Sequence, residues 1–217
     1  MTKDLHHPRL IRLANTLTHG VGALLSLAGM AWLVTRAWRT GDTLDFTGAV
    51  VFGLSLVVLY TASTLYHGST SRHLKMLFAR LDYAGIFLLI GGTYTAVLLN
   101  LRDTFGWTVL GVVWLLCLAG IVFVLGFRFP GRYRLAMTFI YVALGWLVLV
   151  VLKPLIAVLP GESVIWLVAG GLAYTSGVFF FFWHKLPYHH AIWHVFVLMG
   201  SACHWVAVAG CLPAGVE

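Results

Sequence analysis

The sequence predicts an all-α protein: a seven-helix bundle spanning a membrane, N-terminus inside and C-terminus outside. Three observations predict this class. Hydrophobic residues make up 60% of the 217 positions and charged residues only 10%, with a mean hydropathy of +0.92. A water-soluble domain carries about 25% charged residues, so this chain has too little polar surface to coat itself in water. Seven apolar runs are each close to the roughly 20 residues that a spanning helix needs. Basic residues fall in the connections and alternate in density from one connection to the next.

The seven runs lie at roughly 14–35, 46–67, 82–100, 105–127, 135–152, 163–183 and 189–211. Between them are RTGD, GSTSRHLK, LRDT, RFPGRYR, KPLIAVLPGE and HKLPYH, none long enough to hold a second domain. Residues 1–217 are therefore expected to form a single domain. The 23 glycines include Gly91-Gly92 and Gly170-Gly171. Small residues let helices approach closely in lipid, where packing replaces the hydrophobic effect in joining them.

Orientation follows from the cations. The N-terminus and the connections after runs 2, 4 and 6 hold Lys3, Arg9, Arg12, Arg72, Lys75, Arg80, Arg128, Arg132, Arg134 and Lys185. The other side holds only Arg36, Arg39, Arg102 and Lys153. The basic-rich side is cytoplasmic by the positive-inside rule, which places the chain in the cell membrane. The net charge of +7 is accounted for by this pattern, and nucleic acid is not an expected partner. Cys117, Cys203 and Cys211 lie in apolar segments without CxxC spacing, which argues against a disulfide framework and a thiolate site. The polar start and long first run do not resemble a cleavable leader.

Ionisable groups inside spans are costly and mark function. Here they are His19, His67, Asp82, His190, His194 and His204. All but His204 share one depth, at the cytoplasmic ends of the runs. His190 and His194 are four apart, which puts both rings on one helix face. With His67 from another helix they form a candidate three-histidine site for Zn²⁺, the open type that keeps a position for water. The competing reading makes them interfacial histidines bonded to carbonyls. Asp82 is placed at the start of the third helix, where a carboxylate is favoured by the helix dipole; beside a metal it could take a proton from water. Ser63 lies one turn before His67 and either bonds its own i−4 carbonyl or steadies a group beside the metal. His204, nearly three turns deeper, is expected to make an interhelical hydrogen bond. His184 and His189 are expected in a solvated loop, and His6 and His7 need no function.

The segments NTLTHGVGA (15–23), STLYHG (63–68), FARLDYAGIFLLIGGTYT (78–95) and PYHHAIWHVFVLMGSACHW (187–205) resemble the hemolysin III family, which is grouped with the progestin and adipoQ receptors. The resemblance covers nearly the whole chain. It implies Ser63 and His67 from an SxxxH motif, Asp82 from LDYxGI, and His190 and His194 from HxxxH. It also implies zinc on the three histidines, with Asp82 and Ser63 near its water, and a kinship with membrane hydrolases such as alkaline ceramidases. One departure stands out. Bacterial members typically have acidic residues just before NxxTHG, where this chain has Ile11 and Arg12.

Two functions are therefore expected from different classes. One is a zinc-dependent hydrolase of a lipid amide or ester, with Asp82 and Ser63 catalytic and a membrane lipid as substrate. The other is a non-enzymatic protein of signalling, permeation or membrane homeostasis, with zinc as a structural clip. Seven spans imply a resident membrane protein rather than a secreted pore-former.

Overall fold

The computed structural model describes residues 8–126 and 133–213. Lys3, His6, His7, Arg128 and Arg132, which entered the sequence reading, lie outside the described residues. The chain folds as α1 (Pro8–Thr40), α2 (Thr43–Gly68), α3 (Arg72–Leu98), α4 (Thr104–Gly126), α5 (Arg134–Trp146), α6 (Leu152–Val158), α7 (Gly161–Phe182) and α8 (His189–Cys211). A 3₁₀ turn, Leu147–Val151, joins α5 to α6, and together they make one span, Arg134–Val158. Among the described residues, seven helical units are thus long and apolar enough to cross a membrane.

Two boundaries differ from expectation. The fifth span continues through Lys153 and Pro154, which were read as loop. Pro154 sits in the first turn of α6, where a missing N–H costs nothing because no carbonyl in that helix would receive it. The third helix begins at Arg72 rather than Asp82. Its extra turns, RHLKMLFARL, are too polar to register as an apolar run. Asp82 is thereby moved ten residues into the helix, about 15 Å along its axis, and the dipole at the helix start no longer accounts for it.

The surface is what lipid requires. Leu24, Leu115, Ile165 and Phe179 are 70%, 68%, 68% and 64% exposed. The interior is built on α2 and α3. Phe52, Leu56, Leu59 and Tyr60 of α2 pack with Leu33 and Ala37 of α1, Leu89 of α3 and Val197 of α8. The other face of α3, through Phe87 and Tyr94, packs with Val113 and Cys117 of α4 and with Met137 and Leu155 of the fifth span. Tyr60 donates to Ser201 Oγ at 2.6 Å, and the Tyr174 hydroxyl lies 2.7 Å from the same oxygen, so one polar hub ties α2, α7 and α8. Gly85 brings α3 against α2: a Cβ there would lie 3.0 Å from the Cα of Leu59. At the far end, Asp42 caps α2 by accepting from the Leu44 and Asp45 amides. The Arg102 guanidinium, 2.8 Å away, holds the Asp42 carboxyl below the usual carboxylate range.

Candidate metal centre

His67 is in the last turn of α2, and His190 and His194 are in the first two turns of α8. These ends meet, and the three rings converge. Centroids are 5.0 Å apart for His67–His190, 4.9 Å for His67–His194 and 4.6 Å for His190–His194. One ring nitrogen from each lies within 4.8 Å of the others. His67 and His194 are buried and His190 is half-buried.

The donor set fits a metal ion. Buried polar atoms are nearly always hydrogen-bonded, yet His67 Nε2 is buried without a partner. His194 is oriented from behind: its Nδ1 lies 2.9 Å from Thr18 Oγ1. The Thr18 hydroxyl itself donates to the Ala14 carbonyl at 2.9 Å. Its proton is therefore committed, so His194 Nδ1–H is the donor to Thr18 and Nε2 keeps its lone pair. A fixed tautomer of this kind is how proteins prepare a histidine ligand. The three histidines could hold a metal ion.

Ser63 does not bond its i−4 carbonyl. Its Oγ lies 2.7 Å from His19 Nδ1 and faces the Asp82 carboxyl. The close approach of α3 at Gly85, one turn beyond Asp82, makes this meeting possible. His19 is 4% exposed and its ring stacks on His194, centroids 3.6 Å apart and planes 13° apart. The structure therefore brings Ser63, His67, Asp82, His190 and His194 into one neighbourhood and adds His19 and Thr18.

Sequence reasoning placed His19 at the correct depth but gave it no contact. Its signal was present in THG, but stacking between α1 and α8 is not a property of spacing. Arg134, counted only as an orienting charge, lies over the Phe181 ring at 4.7 Å, and Phe181 in turn meets His190. His204 bonds the Leu167 carbonyl of α7 at 3.2 Å, the interhelical role expected of it. His189 is not in a loop: it opens α8, half-buried, with Nδ1 3.3 Å from the Phe180 carbonyl.

These features define a multi-pass protein of the cell membrane with a buried histidine triad at one end of its bundle. The chain belongs to the haemolysin-III family, whose model, described as Haemolysin-III related, matches residues 12–205. It is 43% identical over 197 residues to the Hemolysin-3 homolog of Bacillus subtilis (strain 168), covering 90% of this chain and 92% of that one. It is equally similar to Hemolysin-3 of Bacillus cereus, with 90% and 89% covered. The human Monocyte to macrophage differentiation factor is 28% identical over 207 residues, covering 90% and 82%.

Proposed function

We propose that His67, His190 and His194 hold a zinc ion and that the chain is a zinc-dependent hydrolase of a lipid amide or ester. An all-imidazole donor set of three suits zinc and leaves one position open. When bound, zinc supplies a Lewis acid that lowers the pKa of a water to about 7 and polarises a carbonyl. Asp82 accepts the proton of the attacking water. Ser63 donates to Asp82 and accepts from His19 Nδ1–H, so the carboxylate is held by a chain of two hydrogen bonds. Thr18 holds His194 in the tautomer that presents Nε2. The substrate acyl chain enters from the bilayer. The single observation that carries this reading is the half-buried Asp82 carboxyl at the triad end, joined to the triad through Ser63 and His19.

Asp82→Asn tests it. Zinc occupancy should persist, while fatty-acid release from a panel of ceramides and phospholipids should drop about 10²–10⁴-fold. Ser63→Ala should have the smaller effect. A wild type that releases no fatty acid from any lipid of the panel, fully loaded with zinc, removes the hydrolase reading. An Asp82→Asn protein that loses its zinc makes Asp82 structural. A second reading then stands: zinc clips the end of α2 to the start of α8, a role favoured by the ligands coming from those two helices alone.

The triad end of the bundle is proposed to be cytoplasmic, from the ten basic residues against four. A reporter active only outside the cytoplasm should give signal when fused after Glu217. Silence there, with signal from an N-terminal fusion, inverts the assignment.

A further inference from the structure

A cavity of about 350 Å³ opens beside the triad, between the start of α1 and the facing ends of α2 and α3. Its size falls in the roughly 300–1,000 Å³ range of small-molecule sites. Its walls carry Arg9 and Arg12 from α1 and Lys75 from α3, with Ile11 as an apolar flank. Its inner lining includes His67 and Asn15. Both are more than nine-tenths buried, at 8% and 7% exposed. Each has a polar atom with no partner: Nε2 of His67, the atom offered to a metal, and Oδ1 of Asn15, whose amide presents Nδ2 as a donor to an oxyanion once turned over.

No carboxylate among the described residues pairs with these three cations. Among the described residues the only ion pairs join Arg102 to Asp42 and Asp45, at the other end of the bundle. Asp103 and Glu162 also lie at that other end, by the start of α4 and α7; Asp82, at the triad end, faces Ser63 and does not line the cavity. Lys75 is steadied instead by the Tyr66 ring, 5.6 Å from its ammonium. Topology accounts for basic residues at this end of the molecule. It does not account for three of them bordering one cavity whose lining includes a triad histidine, since Arg72 and Arg80 serve topology without bordering it. Three positive charges bordering one cavity reinforce one another, and a divalent ion on the triad would add to them.

We infer that this cavity binds an oxyanion of the phosphate class, carried by an anionic lipid headgroup or free in solution, with Arg9, Arg12 and Lys75 supplying the charge. As a filter on the substrate it rests on the hydrolase reading; as a binding site it stands without it. A lipid headgroup so held would stand beside His67 while its acyl chains remain in the bilayer.

The test is binding, not turnover, on the full-length zinc-loaded protein. Native mass spectrometry would titrate short-chain phosphatidylglycerol against phosphatidylcholine, and calorimetry would titrate inorganic phosphate. Wild type should prefer phosphatidylglycerol, and the preference should fall with salt. Arg12→Gln should weaken binding about fivefold, from about 1 kcal/mol per basic residue near an anionic surface, and removing all three cations about 100-fold. Arg12→Lys should retain most of it, and Arg72→Gln should change nothing. Phosphatidylglycerol binding without phosphate binding makes the lipid the source; phosphate binding alone makes the source soluble. Should the triple variant not fold, the three single glutamine variants carry the same comparison. The inference is overturned if neither anion binds, or if Arg72→Gln weakens binding as much as Arg12→Gln. Binding intact in a wild type that hydrolyses nothing leaves this site standing and removes only the hydrolase reading.

Discussion

Replacing Thr18 by Val isolates the preparation of one ligand. The change keeps the β-branched shape and removes the hydroxyl that lies 2.9 Å from His194 Nδ1. In the metal-free protein the His194 ring can shift its proton or turn, so the lost partner costs little there. With metal on Nε2 the proton is locked on Nδ1, facing a methyl group in a residue only 2% exposed. The penalty for an unsatisfied buried donor, about 1–3 kcal/mol, therefore falls on the metal-bound state. Zinc affinity should drop about 10–100-fold, as it does when such outer partners are removed. The assay is competition for zinc against a chelator of known affinity, in detergent, at pH 7. Thr16→Val is the matched control: its hydroxyl bonds only the Arg12 carbonyl at an exposed position, and its affinity should stay within about twofold of wild type. Wild-type zinc affinity in Thr18→Val, alongside lost zinc in His194→Ala, would refute the reasoning that Thr18 sets the tautomer.

Two further outcomes follow from the same geometry. His67→Ala, His190→Ala and His194→Ala should each cut zinc retention after purification, whereas His204→Ala should keep the metal; elemental analysis decides, and full zinc in any of the first three removes that residue from the ligand set. Gly85→Ala would place a methyl 3.0 Å from the backbone of Leu59 and force α3 away from α2, costing about 1–3 kcal/mol. Because no triad ligand is on α3, zinc should remain while thermal stability and fatty-acid release fall together. Unchanged stability in Gly85→Ala would show that the helices yield at that point.

The seven-helix class was legible in the sequence because lipid imposes a one-dimensional rule. Every span needs an apolar run of fixed length, whatever it packs against, so runs such as 46–67 and 189–211 report their helices directly. Depth was legible too for His67, His190 and His194, which are located by distance from span ends; Asp82 was placed by the start of its apolar run, although its helix begins ten residues earlier. Helix ends were less so: the polar turns RHLKMLFARL and the Lys153-Pro154 pair look like loop to a hydropathy count, yet are helical in the fold.

Which groups touch is a different matter, because depth fixes one coordinate and leaves rotation and neighbour open. HxxxH fixed the mutual position of His190 and His194, since both ride one helix. The stacking of His19 on His194, the Thr18 bond behind it and the Ser63 hydroxyl turned from its own backbone toward His19 and Asp82 depend on how α1, α2, α3 and α8 are rotated and how closely Gly85 lets two of them approach. Those contacts span up to 176 residues of chain. The sequence by itself determined the spans and the depth of their polar groups, because the bilayer reads composition locally; only the tertiary structure decided the partners, because packing between helices is specified by shapes that no single helix contains.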